Sequence, residues 1–468
     1  MTKRFLAVLL ALTALFSLWL CAYADGPDAG ADPSTENILV IKNLNSGNNL
    51  ILNSAPSRFF QAGVAAKLMT ALLAYEKIGE LDTKISVPFC AGDEKLRGST
   101  SYMGFKYAEN DAPMTLEDLL NAALLSCASD ACLTLAVAAV RFSAGEATDL
   151  SGNHDAAYAA SAKELGYLAE FTRLMNERAR ELGCTGTVFT NCAGVSDAAS
   201  RTTAEDIAQI AAAVRGHTAL FELSDQASYS FSGSKQQVFT KNALKSSYTL
   251  KGYTLDNARG MIAGFLQMDN YCVVTAAESD GLFYIFVAVS ATADPGERYS
   301  AEDSAYTTVH TFLPWALSSF YYKAVLSPLT AVATVSVKAG ANRDRVTIIA
   351  RDTVELLLTK DIDEETDISV VYPEFTELTA PVAEGQEVGV AYVYLKGVLV
   401  GQSALVTNDG VAESAALSAF EKVKDVMTSS LMKRIYKWGL VILAAYVLLN
   451  IVLFFYRLVR KYIEAGKD

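Results

Sequence analysis

Histidine, tryptophan and proline are scarce in this 468-residue chain, at 3, 3 and 10 positions. The three histidines, His154, His217 and His310, stand far apart and no Cys-x-x-Cys pair accompanies them, so no metal centre is supported and no cofactor is implied. Basic residues are in deficit, 39 against 52 acidic ones. The net charge of −13 sets up no field to hold a polyphosphate backbone, which excludes nucleic acid as a partner. Charged residues make up only 19% against 51% hydrophobic, excluding a disordered or low-complexity chain. Long apolar runs are also missing from the interior. The mean hydropathy of +0.22 owes much to two stretches at the ends, which excludes a polytopic transporter.

Those two stretches bear on compartment. Lys3 and Arg4 precede an apolar run from Phe5 to Leu20, followed by Ala22-Tyr23-Ala24. This pattern predicts a signal peptide, residues 1–24, cleaved after Ala24. Lipidation at Cys21 is disfavoured by the bulk of Trp19 and Leu20. Near the other end, Trp438 to Tyr456 contains one clearly polar residue, Asn450, and is flanked by Lys433, Arg434 and Lys437 before and Arg457, Arg460 and Lys461 after. At 1.5 Å per residue such a run crosses a bilayer core of about 30 Å. We place a transmembrane helix at 435–456 and a cytoplasmic tail at 457–468, leaving the body on the extracytoplasmic side by the positive-inside rule. Loss of Cys21 with the signal would leave Cys90, Cys127, Cys132, Cys184, Cys192 and Cys272, an even number that permits disulfides.

Between the ends, residues 25–36 read as a Gly/Pro/Asp/Ser-rich linker and folding is expected from about Asn37. Two β-branched runs across Ser46-Gly47-Asn48 predict a hairpin. Periodicity predicts helices over Gly63–Glu80, Thr115–Val140, Tyr167–Leu182, Thr203–Ala213 and Ala301–Tyr322, and strands over Tyr271–Ala277 and Leu282–Ser290. Strand-first, helix-middle, strand-last order implies an α+β domain, 37–325, with a mostly antiparallel sheet. After Pro328 short alternating strands predict a small all-β domain, 328–412. A helical stalk, 413–434, would lead into the membrane.

Several local strings, in order, resemble the D-alanyl-D-alanine carboxypeptidases, the low-molecular-mass penicillin-binding proteins. They are Lys67-Leu68-Met69-Thr70, Gly98-Ser99-Thr100, Asp118-Leu119-Leu120, Ser129-Asp130-Ala131-Cys132, Thr202-Thr203-Ala204-Glu205-Asp206, Asn270-Tyr271-Cys272, Asp280-Gly281-Leu282 and Ala383-Glu384-Gly385-Gln386-Glu387-Val388-Gly389. The likeness spans about residues 37 to 412. It implies a β-lactamase/transpeptidase-like domain acting on peptidoglycan stem peptides.

The resemblance also fixes where three motifs should stand. Ser-x-x-Lys puts a nucleophile one helical turn before the lysine that activates it. With Lys67 setting the frame, the nucleophile position is Val64. Ser-x-Asn becomes Cys127-Ala128-Ser129, and Lys-Thr-Gly becomes Ile262-Ala263-Gly264. No Lys-Thr-Gly or Lys-Ser-Gly occurs elsewhere. The stray matches Ser232–Lys235, Ser430–Lys433, Ser46–Asn48 and Ser151–Asn153 fall in turns, beside the membrane span or in an apparent insertion at about 142–165. These substitutions predict an apolar cleft and a catalytically inactive, membrane-anchored member of the family with a binding or regulatory role in cell-wall metabolism. Its ligands would be stem peptides or a wall-synthesis protein. The alternative is an active serine carboxypeptidase or another hydrolase using Cys127 beside Lys67, which would lower the thiol's pKa. Lys67 itself reads either as an anion-binding group or as a packed stem with its amine at the surface.

Overall fold

Apolar runs from opposite ends of the first unit meet in one sheet. The computed structural model describes residues 35–45, 50–55, 58–98, 101–105, 113–232, 236–267, 269–292 and 298–465. The signal segment, most of the linker, the turn Ser46-Gly47-Asn48, Ser99-Thr100 and Gly233–Lys235 lie outside the described residues. The chain divides into one unit running to Tyr321 with Leu358–Asp361, and a second comprising Tyr322–Leu357 and Ile362 onward.

In the first unit, β1 (Thr35–Asn43), β2 (Leu50–Asn53), β3 (Ala258–Gln267), β4 (Asn270–Ser279) and β5 (Leu282–Thr292) form an antiparallel sheet in the order β2-β1-β5-β4-β3. Strand β1 begins at Thr35, two residues before the expected start, because Thr35 and Glu36 pair with Thr292 and Ala291. Consecutive residues of β4 and β5 are buried, so both faces of the sheet are covered. The helices that matter for the site are α1 (Gly63–Ile78), α2 (Leu116–Ser126), α3 (Ser129–Ser143), α4 (Glu164–Glu181), α5 (Ala204–Gly216) and α6 (Arg298–Ser319). Helix α1 is enclosed by α2, α3, α4, α5 and β3, whereas α6 packs on β1, β4 and β5.

Two sequence readings are corrected here, and one segment left without an element gains one. The single helix expected over Thr115–Val140 is two, because Cys127 adopts a left-handed conformation, φ 56°, between α2 and α3. The helix expected to reach Tyr322 stops at Ser319, where the β-forming run Phe320-Tyr321-Tyr322 enters a strand. The apparent insertion at 142–165 carries a short helix, His154–Ser161, capped by Asn153.

The second unit holds β6 (Ala331–Lys338), β7 (Arg345–Ala350), β8 (Ile368–Val371), β9 (Leu378–Thr379), β10 (Glu387–Leu395) and β11 (Val398–Thr407) in a sheet ordered β8-β10-β11-β7-β6-β9. Neighbours are antiparallel except β6 and β9. The stalk is not continuous with the span. Helix α7 (Ala415–Thr428) ends at Ser429, whose extended backbone separates it from α8 (Ser430–Ala465). Helix α8 is long and apolar enough to cross a membrane over Ser430–Arg460.

Candidate functional site

The first turn of α1 is held under close backbone contact. Gly63 has φ +30°, and a Cβ there would lie 2.3 Å from both Cα and O of Leu266 at the end of β3. Only glycine permits that approach. Gly194, φ +70°, presses from another side: its Cβ would lie 2.2 Å from Gly63 O and 3.2 Å from Lys67 Cε. Asn191 fixes this loop, accepting from Val195 N at 2.9 Å and donating to Val195 O at 3.0 Å. Val64 and Lys67 therefore share one face of α1 in a space with little slack.

Lys67 Nζ donates to Cys127 O at 2.6 Å, and Cys127 Sγ donates to Ala263 O at 3.1 Å. A methyl placed on Gly264 would sit 3.4 Å from Cys127 Sγ and 3.5 Å from Val64 Cγ2. The positions read as three separate motifs thus do come together: Val64 and Lys67 from α1, Cys127 from the α2–α3 break, and Ala263 and Gly264 from β3. Ser129, the first residue of α3, donates from Oγ to Ala193 O at 3.3 Å. Ile262 pairs with Val274 within the sheet.

Their surroundings differ from the apolar cleft expected. Val64, Ile262 and Ala263 are 1% exposed, Ser129 2%, Cys127 3% and Lys67 6%, and Gly264 is buried as well. Lys67 is buried and its amine is engaged by the main-chain carbonyl of Cys127, unlike the amine at the surface that one reading expected. Removing apolar side chains from solvent is favourable, and valine, isoleucine and alanine at these positions are all withdrawn from it. Burial holds the Lys67 ammonium below the ordinary lysine range, and nearby Lys241 adds to that, against an opposing pull from Cys127 and Cys132.

Three residues outside the expected set complete the arrangement. Asp130 is buried and accepts from the main-chain N–H groups of Met103 (3.1 Å), Gly104 (2.8 Å), Phe105 (2.9 Å) and Ala131 (3.0 Å). It ties the 101–105 segment to the start of α3. Ser101 Oγ donates to Ser126 O at 2.6 Å and accepts from Lys241 Nζ at 2.7 Å. Asp130 lay within a quoted family string, but Lys241 and Ser101 carried no local signal; only the fold brings them to the α2–α3 break.

The six described cysteines are all free and buried, so the disulfides that their even count permits do not form. Burial pushes the Cys192 thiol up to about 12 and raises those of Cys90, Cys132 and Cys272 well above the ordinary range. Among the described residues no group of three or more His, Cys, Asp or Glu is placed to hold a metal.

Two family models match the chain. One, described as D-alanyl-D-alanine carboxypeptidase, covers residues 141–293, and the other, the penicillin-binding protein 5 C-terminal domain, covers 320–413. The first match begins after Val64, Lys67 and Cys127, so the part of the chain bearing the first two motif positions lies outside it. The chain is 22% identical over 430 residues to the D-alanyl-D-alanine carboxypeptidase DacF of Bacillus subtilis, covering 90% of this chain and 97% of the relative. Its fold is similar to penicillin-binding protein 5 of Haemophilus influenzae, with TM-score 0.57, 18% identity and coverage of 84% of this chain and 100% of the other. It is also similar to the carboxypeptidase DacD of Francisella tularensis, with TM-score 0.53, 18% identity, and 84% and 95% coverage. With both of the family's domains matched in order and a relative aligned along nearly its whole length, the chain belongs to the D-alanyl-D-alanine carboxypeptidase family.

Proposed function

We propose that this protein is a catalytically inactive member of its family, anchored in the cell membrane by α8 with its body on the extracytoplasmic side, and that it binds or regulates in peptidoglycan metabolism. One observation carries the reading: where the Ser-x-x-Lys frame calls for a hydroxyl, the side chain is Val64, and the lysine one turn later spends its amine on a main-chain carbonyl. A valine has no lone pair to attack a carbonyl carbon. Loss of a nucleophile with its partners costs on the order of 10⁶ in kcat in a serine hydrolase. Ile262 and Ala263 likewise supply neither charge nor hydroxyl for a substrate carboxylate. A carboxylate entering there would lose its hydration without compensation, so stem peptides ending in a free carboxylate would bind weakly at this position.

The Cys127 alternative is opposed by geometry. Its thiol donates to Ala263 O, and Lys67 addresses the carbonyl of the same residue, not its sulfur. One fold relative, from Streptococcus pneumoniae, is described as a peptidoglycan synthesis regulatory factor, which is the kind of role proposed here. Intact-mass spectrometry after exposure to a β-lactam tests the reading. The expected result is an unchanged mass; a stable adduct mapped to Cys127 or to any serine would overturn it.

A further inference from the structure

Within the apolar centre Trp438–Tyr456 of α8, Asn450 stands three residues from the midpoint Val447, about 4.5 Å along the axis. That is deep inside a hydrocarbon core about 30 Å thick. Its Nδ2 donates to Tyr446 O at 2.9 Å, and its Oδ1 meets no donor among the described residues. An unsatisfied carbonyl in lipid is costly, so an intramembrane asparagine calls for a partner.

Gly439, Leu443, Tyr446, Asn450, Leu453 and Arg457 follow one another at alternating spacings of four and three, which places them on one seam of the helix. A Cβ on Gly439 would meet nothing within 4 Å among the described residues. Glycine weakens a helix interior, and no contact among the described residues calls for it there, whereas a small residue lets two membrane helices approach closely.

We propose that α8 pairs in parallel and in register with α8 of a second copy of this chain, with the two Asn450 side chains hydrogen-bonded to each other. The occupant follows from the chemistry. A primary amide is its own complement, each Oδ1 accepting from the other's Nδ2, and two copies inserted in one orientation present it at the same depth. The proposal rests on the reading of α8 as a membrane span.

Energy transfer between full-length chains labelled at their C-termini with donor or acceptor, reconstituted in phosphatidylcholine/phosphatidylglycerol vesicles, tests it. Native chains should show transfer above the level of random proximity. Asn450→Leu should weaken association about tenfold, Asn450→Gln should retain it, and Leu448→Ala, on the opposite face, should leave it unchanged. Random-level transfer by native chains, or undiminished transfer by Asn450→Leu, would overturn the pairing. Release of the chain by alkaline carbonate would overturn the spanning reading and the pairing with it, whereas retained chains with random-level transfer would overturn the pairing alone.

Discussion

Of the 16 residues of α1, 13 are buried, while the apolar window of α8 is buried nowhere, although both helices are apolar on nearly every side. An all-round apolar helix has to be enclosed by something. For α1 the enclosure is protein: α2, α3, α4, α5 and β3 surround it. Length and flanks separate the two cases. At 1.5 Å per residue α1 spans about 24 Å, short of a bilayer core, and carries no basic cluster at its ends; α8 has 36 residues with Lys433, Arg434 and Lys437 on one side of its apolar centre and Arg457, Arg460 and Lys461 on the other. Hydrophobicity states that a helix needs cover, and the surrounding sequence states which solvent provides it.

The sharpest way to break this comparison is to truncate the same side chain in each helix. Leu68, fully buried in α1, should cost about 2–5 kcal/mol as Leu68→Ala, measured by urea unfolding of the membrane-reconstituted chain. Leu448→Ala should leave the same transition within about 0.5 kcal/mol. Comparable losses would make α8 a core helix. A smaller effect is expected at the polar edge of the α1 enclosure. Asp130→Asn weakens four main-chain contacts and should cost about 1.5–3 kcal/mol, with faster hydrogen exchange at Met103, Gly104 and Phe105. Unchanged exchange at those amides would show that Asp130 does not hold the segment.

The smallest effect concerns the buried cation Lys67. Burial lowers the Lys67 pKa below 10.5, so between the lowered value and 10.5 the unfolded chain binds more protons than the native one, and stability rises with pH through that window. In Lys67→Met this contribution is absent. Native stability minus variant stability should therefore increase as pH climbs toward 10.5, with a net difference of about 1 kcal/mol at neutral pH as loss of the bond to Cys127 O offsets relief of the buried amine. Cysteines and tyrosines remote from Lys67 that titrate over the same range cancel in the difference, whereas Cys132, which interacts with the ammonium, shifts with it. A flat difference would place the ammonium in contact with water.

The strands and most helices were legible because burial imposes a period on the sequence, and the sheet's strands keep theirs. The break at Cys127 was not. The run Leu124-Leu125-Ser126-Cys127-Ala128-Ser129 contains neither glycine nor proline, and the left-handed residue is held by contacts with Lys67 and Ala263, 60 and 136 positions away. The gathering of Val64, Lys67, Cys127 and Gly264 was anticipated through family strings, yet the depth of these positions depends on how Gly63 and Gly194 let β3 and the 191–195 loop close over α1. Residue type alone distinguishes an apolar groove from an apolar plug poorly, since both are made of valine, isoleucine and alanine.

In an oxidising compartment the six sealed thiols among the described residues would make every unfolding event a chemical risk. Six cysteines admit 15 complete pairings, and none of them belongs to the native state. A passing excursion to the unfolded form exposes every sulfur together, and each oxidation made there is a covalent record that refolding has to undo. The lifetime of such a chain is then set by how often its core opens and how fast it closes again, a kinetic quantity that equilibrium stability by itself does not fix. Alkylation of those thiols by an external reagent would count the openings one by one.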